Sequence, residues 1–234
     1  MSGPGGGVPR HVGIVPDGNR RWARLHGVPV HEGYRRGAAR TLEVLRWCEQ
    51  AGVETVTVWA LSLDNAAKRQ ELPVMLDAIS ALTQALTAEG EWRLNVLGSP
   101  EHLKNLGLSA LSARTRHSGD PADAMGGLRI NLAVAYDGRE EVLAAVRALL
   151  AQGGAQALEG LDGEAVSGQL ARWGQPDCDL IVRASGEQRL SGFLLWQSVV
   201  AELYFSPQLW PDFDRASFDA ALASFAARER RFGA

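Results

Sequence analysis

Cysteine and net positive charge are both scarce in this chain of 234 residues. Cys48 and Cys178 are the only cysteines, and they lie far apart without a Cys-x-x-Cys partner, which excludes a disulfide framework and a cysteine-rich zinc site. The formal net charge is -3, so the strong basic excess typical of nucleic-acid-binding proteins is missing, and no nucleic-acid partner is predicted. Basic residues in this chain therefore act locally.

Long apolar runs are absent as well. No segment approaches the length needed to span a membrane, and Met1–Gly7 lacks the basic and apolar regions of a signal peptide. Residues 1–9 are rich in glycine and proline and are predicted to form a disordered leader, followed by one domain over residues 10–234. These absences predict a cytoplasmic protein in a reducing compartment.

Apolar segments rich in β-branched residues alternate along the chain with longer segments of helical periodicity. That alternation predicts an α/β fold, namely a single domain whose central parallel sheet of about six strands is flanked by helices. The predicted strands are His11–Val15, Thr55–Leu61, Leu94–Leu97, Leu128–Ala135, Leu180–Val182 and Leu203–Phe205. The predicted helices are Gly37–Ala51, Pro73–Glu89, Glu101–Arg116, Arg139–Ala151, Gly163–Arg172 and Ala216–Arg230.

Two of the predicted helices carry a regular apolar stripe. One stripe consists of Met75, Ile79, Leu82 and Leu86, and the other of Val142, Val146, Leu149 and Leu150. Ordinary core packing is the more frequent reason for such stripes, and a wall that binds hydrocarbon is the alternative. Room for a hydrocarbon chain would come from small residues of the first helix, namely Ala78, Ala81 and Ala85.

The first candidate site follows the predicted strand His11–Val15 directly. Ligands of open α/β sheets bind at the carboxyl ends of the strands, where Asp17 is predicted to lie. Gly18 lets the backbone approach a bound group, and Asn19 is predicted to cap a following helix whose free N–H groups would favour an anion. Asp17 suits Mg2+, which takes one or two carboxylates and completes its shell with water and substrate phosphates. A capped strand-to-helix turn with surface arginines is the alternative.

A second candidate site with the same organisation follows the predicted strand Leu180–Val182. Arg183 comes directly after that strand, and Arg189 and Ser191 follow in a loop rich in glycine and serine. Two guanidinium groups and a hydroxyl suit a diphosphate, since arginine presents paired donors to phosphate oxygens. The alternative is that Arg183 pairs with a carboxylate for structural reasons.

Two further segments carry polar side chains that call for a partner. Ser62 and Asn65 follow the predicted strand Thr55–Leu61, although a turn that satisfies its own backbone explains them equally well. Glu202 stands in an apolar, aromatic segment where an unpaired charge is costly, so it needs a cation or hydrogen-bond donors. The agreement of several polar strand ends is a stronger signal than any one of them.

Taken together, these residues resemble the cis-prenyltransferase family, whose bacterial prototype is undecaprenyl diphosphate synthase. The resemblance runs from His11 to Gly233, nearly the whole chain. Its motifs are Asp17-Gly18-Asn19-x-Arg21-Trp22, Arg183 with Gly186-Glu187-x-Arg189-x-Ser191, Phe193-Leu194-Leu195-Trp196-Gln197, Leu209-Trp210-Pro211-Asp212-Phe213 and Arg231-Phe232-Gly233. The resemblance implies a homodimeric α/β protein with a hydrophobic tunnel. It implies an enzyme that condenses isopentenyl diphosphate with an allylic diphosphate to a cis-prenyl diphosphate and releases diphosphate.

The resemblance also implies roles for individual residues. Asp17 and Asn65 would be catalytic, and Mg2+ would be held by Asp17 and Glu202. The implied substrate-binding residues are Gly18, Asn19, Arg20, Arg21, Trp22, Tyr34, Ser62, Lys68, Arg183, Arg189, Ser191, Arg231 and Gly233. By this resemblance, Gly18, Asn19 and Arg21 would cradle the allylic diphosphate. Arg183, Arg189 and Ser191 would hold isopentenyl diphosphate, and Arg231 and Gly233 would reach across the dimer.

The proton acceptor stays open among three candidates. The family assigns proton removal to the residue that corresponds to Asn65, with the counterpart of Ser62 as its neighbour. Because an amide is a poor base, a relay through Ser62 or a diphosphate oxygen is an alternative.

Several positions depart from the prototype, namely Val30, Tyr34, Ala66 and Gln188. Val30 stands where the prototype has an arginine that helps bind the allylic diphosphate, and Tyr34 stands where it has a histidine of a Gly-His-Lys motif. Arg35 or Arg36 is the candidate compensation. The segments 19–23 and 59–65 are similar to those of short-chain actinobacterial members, which make cis-farnesyl diphosphate. A long-chain, undecaprenyl-type product is the alternative, and membrane contact would be at most peripheral, through the product.

Three rival functions are disfavoured. A non-catalytic partner subunit of the same fold would lack the Asp-Gly-Asn signature, which this chain has at residues 17–19. A nucleotide-binding enzyme is not supported, because neither Gly-x-Gly-x-x-Gly nor a phosphate-binding loop motif is present. A trans-type prenyl synthase would be mostly helical and rich in aspartate, whereas this chain has no Asp-Asp pair and alternates strands with helices.

Overall fold

The computed structural model describes residues 7–89, 91–112, 127–153 and 156–228. Its strands are β1 (His11–Val15), β2 (Thr55–Ser62), β3 (Arg93–Leu97), β4 (Arg129–Tyr136), β5 (Leu180–Arg183) and β6 (Glu202–Phe205). They form one sheet in the order β3–β4–β2–β1–β5–β6, and every neighbouring pair is parallel. The predicted α/β class with a six-stranded parallel sheet is therefore confirmed.

Helices connect the strands. They are α1 (Asn19–Leu25), α2 (Val30–Ala51), α3 (Leu63–Lys68), α4 (Leu72–Ala88), α5 (Pro100–Asn105), α6 (Ser109–Ser112), α7 (Gly138–Gly153), α8 (Gln156–Glu159), α9 (Gly163–Arg172) and α10 (Arg215–Ala226). A short 3-10 helix spans Trp210–Asp212. No helix within these described residues is long and apolar enough to cross a membrane.

Three predicted helices differ from the structure. The helix predicted over Ala216–Arg230 ends at Ala226, and residues 229–230 of that prediction lie outside the described residues. The helix predicted to begin at Gly37 begins at Val30, since the chain needs only the short connection through Pro29 after α1. The helix predicted over Glu101–Arg116 is divided, because the backbone at Gly107 takes a positive φ of 74° that ends α5 and restarts the chain in α6. Residues 113–116 of that prediction lie outside the described residues.

The sheet separates two apolar layers. On one face, β1, β2 and β4 pack against α2, α4 and α10, and the stripe Met75, Ile79, Leu82 and Leu86 of α4 is buried there as predicted. The other face carries a smaller cluster around Tyr136, Phe193 and Leu194. The predicted stripe on α7 is only partly buried, and the buried residues of that helix are Gly138 and Ala145.

A row of buried polar side chains crosses the middle of the sheet. Asn95 donates from Nδ2 to Asn131 Oδ1 at 3.0 Å, and Asn131 donates to Thr57 Oγ1 at 3.3 Å and to the Gly174 carbonyl at 2.9 Å. His11 Nε2 lies 2.8 Å from Thr57 Oγ1, so the row extends to β1. Because a shift of one residue would turn these side chains to the opposite face, the row favours the observed register.

We expect Asn131→Ala to lower the free energy of unfolding by about 2 to 4 kcal/mol, because it removes three buried hydrogen bonds and leaves the Gly174 carbonyl without that donor. Urea denaturation of wild type and variant measures the difference. Asn105→Ala, at an exposed position at the end of α5, is the matched control and should change stability little. Equal losses in both variants would contradict the role of the polar row.

Candidate active site

A cavity of about 870 Å3 lies at the carboxyl edge of the sheet. Where it meets the strand ends, its wall is polar and contains Asp17, Asn19, Arg20, Arg21, Arg24, Ser62, Asp64, Asn65, Arg69, Asp137, Arg183, Glu187, Arg189 and Ser191. Further in, between α2 and α4, its wall is apolar and contains Ala38, Val58, Ala60, Leu61, Met75, Ala78, Ile79 and Leu82. A ligand with an anionic head and a hydrocarbon tail matches this division of the wall.

An ion pair joins the ends of the two central strands. Arg183, at the end of β5, donates from Nη2 to Asp17 Oδ2 at 3.0 Å, two residues beyond β1. Its side chain is only 6% exposed, while that of Asp17 is 36% exposed and faces the cavity. The pairing that the sequence left as a structural alternative therefore exists, and it lies in the wall of the cavity.

The loop after β5 is organised around the same arginine. Arg183 Nη1 donates to the Arg189 carbonyl at 2.6 Å and to Ser191 Oγ at 3.3 Å. The Arg189 side chain pairs with Glu187, which also lies 3.8 Å from Arg21. The structure thus brings the two candidate sites of the sequence together in one cavity.

Gly18 and Asn19 begin α1, but not in the way the sequence predicted. Gly18 occupies the position before the helix with φ 110°, and an added Cβ would come within 2.8 Å of Leu209. Asn19 is the first helical residue, and its amide donates to the Pro16 carbonyl at 3.3 Å, so the prediction that it caps the helix is wrong. Its Oδ1 is buried without a partner among the described residues and lies against Gly37 of α2.

The end of β2 shows the predicted turn and one unpredicted arginine. Ser62 caps α3 by accepting from the Asn65 backbone N–H at 3.0 Å. Arg69 lines the cavity and donates to Asn65 Oδ1 at 2.9 Å. Lys68, predicted to bind substrate, instead pairs with Asp64 on an exposed face and does not line the cavity, because one helical step turns it away.

Two aromatic residues near Asp17 have different surroundings. Tyr34 of α2 lines the cavity, and burial raises the pKa of its hydroxyl, which therefore remains a hydrogen-bond donor. Trp22, predicted to bind substrate, lies outside the cavity wall, donating from Nε1 to Asp212 at 2.7 Å and stacking on His26. Its observed contacts hold α1 in place.

The positions that depart from the prototype lie mostly away from the cavity. Val30, Ala66 and Gln188 do not belong to its described wall. Arg35 and Arg36, the candidate compensation, lie beside Glu32 on an exposed part of α2 and do not reach the cavity either. Arg20, Arg24 and Arg69, in contrast, line the cavity.

Glu202 lies at the amino ends of the parallel strands, whereas Asp17 lies at their carboxyl ends. It is the first residue of β6 and pairs in register with Leu180, whereas Arg183, beside Asp17, pairs with Phe205. Three strand residues separate Glu202 from that carboxyl edge, which corresponds to about 10 Å along the strand. Glu202 pairs with Arg228 at 2.6 Å. Within one chain it therefore cannot share an ion with Asp17. Arg231 and Gly233 lie outside the described residues.

The sequence missed several residues of the cavity wall, namely Arg24, Arg69, Tyr136 and Asp137. Arg24 and Arg69 stand next to predicted site segments. Their helical spacing from the predicted site residues of α1 and α3 is the signal that could have identified them. Tyr136 and Asp137 end β4, and the rule about carboxyl ends of parallel strands applies to them as to Asp17.

The small residues of α4 do not share one face. Ala78 lines the cavity together with Met75, Ile79 and Leu82, whereas Ala81 is exposed and Ala85 lies outside the cavity wall. The expectation that all three alanines leave room for a chain is therefore wrong for two of them. The stripe of α4 serves as core and as cavity wall at once, since Met75, Ile79 and Leu82 belong to the core and also line the cavity.

Comparisons with known proteins agree with this geometry. Residues 15–233 match a prenyltransferase family model described as undecaprenyl diphosphate synthase. The chain is 43% identical to a (2Z,6E)-farnesyl diphosphate synthase of Thermobifida fusca over 96% of this chain and 90% of that one. It is 41% identical to a synthase of the same name from Mycolicibacterium smegmatis, over 97% and 88% of the two chains. The crystal structure of lavandulyl diphosphate synthase from Lavandula x intermedia in complex with dimethylallyl diphosphate matches with a TM-score of 0.81 at 32% identity, over 97% of this chain and 99% of that one.

Close packing at Gly37 gives a test of the cavity wall. A Cβ added there would lie 2.2 Å from Asn19 Oδ1, so we expect Gly37→Ala to displace Asn19 and weaken binding of inorganic diphosphate about tenfold. Isothermal titration calorimetry measures the affinity. Gly168→Ala, inside α9, where an added Cβ would lie 3.8 Å from Arg172 Nη1, is the matched control and should bind as wild type does. Undiminished binding by Gly37→Ala would show that Asn19 plays no part.

Proposed function

The chain belongs to the undecaprenyl diphosphate synthase family of cis-prenyltransferases, and from this we propose that it condenses isopentenyl diphosphate with an allylic diphosphate to form a short-chain cis-prenyl diphosphate. Diphosphate is the second product. The observation that carries the proposal is the divided cavity, which is rich in arginine at the strand ends and apolar between α2 and α4.

We assign the two diphosphates to the two sides of the Asp17–Arg183 pair. Gly18, Asn19 and Arg21 would hold the allylic diphosphate, with Arg20 and Tyr34 nearby. Arg183, Arg189 and Ser191 would hold isopentenyl diphosphate, because all three line the same cavity, and two guanidinium groups with a hydroxyl suit a diphosphate. Two diphosphates held side by side direct the isopentenyl double bond at the allylic carbon, so orientation contributes much of the catalysis.

We propose Mg2+ as the cofactor, held by Asp17. One half-exposed carboxylate facing the cavity suits this ion, which usually takes few protein ligands and completes its shell with water and phosphate oxygens. No group of three or more acidic, histidine or cysteine side chains in the described parts of the chain could hold a metal by itself. When bound, Mg2+ neutralises charge on the departing diphosphate, and the arginines of the wall add to that stabilisation.

The surroundings of Asn65 favour a diphosphate oxygen as the proton acceptor. Asn65 Oδ1 already accepts from the Arg69 guanidinium, and a cationic donor makes an amide oxygen a still weaker base. Ser62 Oγ accepts from the Asn65 backbone N–H, so its hydroxyl hydrogen stays available to relay a proton. We therefore assign Asn65 and Arg69 to positioning the leaving proton near an anionic acceptor.

We further propose a cytoplasmic homodimer. Leu195, Val199 and Val200 are exposed large apolar residues in the turn that precedes the edge strand β6, and a second copy of the chain would cover them. Arg231 and Gly233 remain proposed contributors to a neighbouring active site. The family's non-catalytic partner subunits are disfavoured as a model, since Asp17, Gly18, Asn19 and Arg21 all line the cavity.

Asp17→Asn provides the test of the reaction. We expect the variant to lose at least about a hundredfold of wild-type activity, because an amide cannot replace the carboxylate that faces metal and phosphate. The measurement is incorporation of labelled isopentenyl diphosphate with dimethylallyl, geranyl or farnesyl diphosphate as primer, with Mg2+ or with chelator. Asp77→Asn, on the exposed side of α4, is the matched control. No Mg2+-dependent product with any primer, or full activity of Asp17→Asn, would overturn the proposal.

Ala78→Leu tests whether the apolar wall limits product length. The larger side chain would enter the cavity between Met75 and Leu82, so we expect products with fewer isoprene units and a preference for shorter primers. Chromatographic sizing of the products measures the shift. Ala81→Leu adds the same side chain on the exposed face of the same helix and should leave the product unchanged. An unchanged product from Ala78→Leu would mean that another wall sets the length.

A further inference from the structure

A segment outside the proposed substrate-binding set contacts both loops of the proposed diphosphate site. Residues 206–213 follow β6 and contain the short 3-10 helix. They hold the loop after β5 through the backbone, since the N–H of Ser185 donates to the Gln208 carbonyl at 2.6 Å. A second bond runs from the N–H of Gly186 to the Ser206 carbonyl at 2.8 Å. The loop assigned to isopentenyl diphosphate is therefore fixed at its start by this segment.

The same segment holds the loop after β1. The backbone N–H of Trp210 donates to the Asp17 carbonyl at 3.0 Å. Leu209 packs on Gly18, where an added Cβ would lie 2.8 Å from Leu209 Cδ2. The segment is thus a second link between the two loops, besides the ion pair of Asp17 with Arg183. Unlike that pair, this link contains no charged group, so a bound diphosphate does not compete with it.

Trp210 extends the link to the wall of α2. Its indole Nε1–H donates to the Gly37 carbonyl at 3.0 Å and to Thr41 Oγ1 at 3.1 Å. Thr41 Oγ1 in turn donates to the same carbonyl at 2.9 Å. The Trp210 ring belongs to the cavity wall, is fully buried and stacks on Phe213 with the ring centroids 5.2 Å apart. Because both of its N–H groups are bonded and its ring is packed, Trp210 has little freedom to move.

The 3-10 helix is also attached to α1 and α2 outside the cavity. Trp22 of α1 donates from Nε1 to Asp212 Oδ1 at 2.7 Å. Arg40 of α2 donates from Nε to the Pro211 carbonyl at 3.4 Å. None of these four residues belongs to the described wall of the cavity. The indole of Trp210 is therefore the contact between this helix and α2 that lies at the cavity.

The indole bond lies where the two parts of the cavity wall meet. Gly37 lies against Asn19 of the proposed allylic diphosphate site, since an added Cβ would come within 2.2 Å of Asn19 Oδ1. Ala38, the next residue of α2, belongs to the apolar part of the wall. If α2 moved away from Asn19 at this point, each part of the wall would stay intact, but the distance between the two parts would change.

We propose that Trp210 is a positioning residue for the allylic substrate: it holds the diphosphate-binding residues 17–19 at a fixed distance from the apolar wall of α2. The proposal rests on the prenyltransferase function proposed above. An amphiphile gains affinity from its head and its tail together only if the two sites are spaced as the molecule requires. Trp210 acts through the Asp17 and Gly37 carbonyls. Its effect on affinity should therefore grow with the length of the hydrocarbon tail and be absent for diphosphate alone.

The test compares wild type with Trp210→Phe, which keeps an aromatic ring beside Phe213 but lacks the indole N–H. Trp92→Phe is the matched control, because the Trp92 indole is also buried and donates to Glu49 at 2.8 Å, outside the described wall of the cavity. Isothermal titration calorimetry, with Mg2+ and without isopentenyl diphosphate, measures the affinity of each protein for four ligands. They are inorganic diphosphate and the dimethylallyl, geranyl and farnesyl diphosphates.

We expect Trp210→Phe to bind inorganic diphosphate as wild type does and farnesyl diphosphate about fivefold to tenfold more weakly, which corresponds to the loss of one or two hydrogen bonds. Dimethylallyl and geranyl diphosphate should fall between these limits in order of tail length. Trp92→Phe should bind all four ligands as wild type does, although the loss of a buried hydrogen bond lowers the Tm of both variants. A purely structural role of Trp210 would lower the Tm without this dependence on tail length.

Two results would overturn the inference. One is an equal loss of affinity for all four ligands in Trp210→Phe, and the other is an unchanged affinity of that variant for farnesyl diphosphate. Because binding needs no turnover, the result is independent of the condensation assay. A wild type that makes no prenyl product, while the variants show the expected binding, would overturn the proposed function and leave the role of Trp210 in place.

Thr41→Val and Thr41→Ser provide the test if Trp210→Phe does not fold. Valine removes the hydroxyl that accepts from the indole, whereas serine keeps it. Although valine makes the wall more apolar, we expect Thr41→Val to bind farnesyl diphosphate about twofold to threefold more weakly than Thr41→Ser, with equal affinity for inorganic diphosphate. Equal affinities of the two variants for farnesyl diphosphate would also overturn the inference.

Discussion

The pair between Arg183 and Asp17 is the constraint on which the site depends. A guanidinium that is almost fully buried must find acceptors, and Arg183 finds them in Asp17, the Arg189 carbonyl and Ser191. These acceptors come from the end of β1 and from the loop after β5, so one side chain holds two loops that are distant in sequence. A diphosphate bound there would replace part of this arrangement with stronger charge-assisted bonds, and the partly exposed Asp17 would be free for a metal.

The sheet order explains why this pair lies in the cavity. From β1 the chain continues to β2 on one side, whereas β5 and β6 lie on the other side, so the connections diverge between β1 and β5. In open α/β sheets a crevice forms outside the carboxyl ends at such a point. Asp17 and Arg183 end the two strands that border it. The local strand-to-loop turns supply the side chains, and the order of the strands brings them together.

The sequence predicted the strands well and the positions of side chains less well. Apolar runs mark buried strands directly, and the rule about carboxyl ends correctly selected Asp17, Ser62 and Arg183 for the cavity wall. The predictions were wrong where the direction of a side chain depends on its exact position in a helix or on a contact with a residue distant in sequence. Lys68 and Arg69 differ by one step of the chain, and Trp22 is held by Asp212, 190 positions away. Glu202 does not meet Asp17 within one chain because it precedes the predicted strand Leu203–Phe205 and lies at its amino end, whereas Asp17 lies beyond the carboxyl end of β1.

The apolar part of the cavity is also part of the core, and this links product length to stability. Met75, Ile79 and Leu82 pack against the sheet with some of their surface and line the cavity with the rest. Enlarging the cavity by truncating one of them would remove core contacts at a cost of about 2 to 5 kcal/mol, whereas filling it at Ala78 leaves those contacts in place. Shortening a product therefore requires less compensation in this fold than lengthening it. A longer product would need a coordinated change of several residues on α2 and α4, since the wall cannot recede without opening the core.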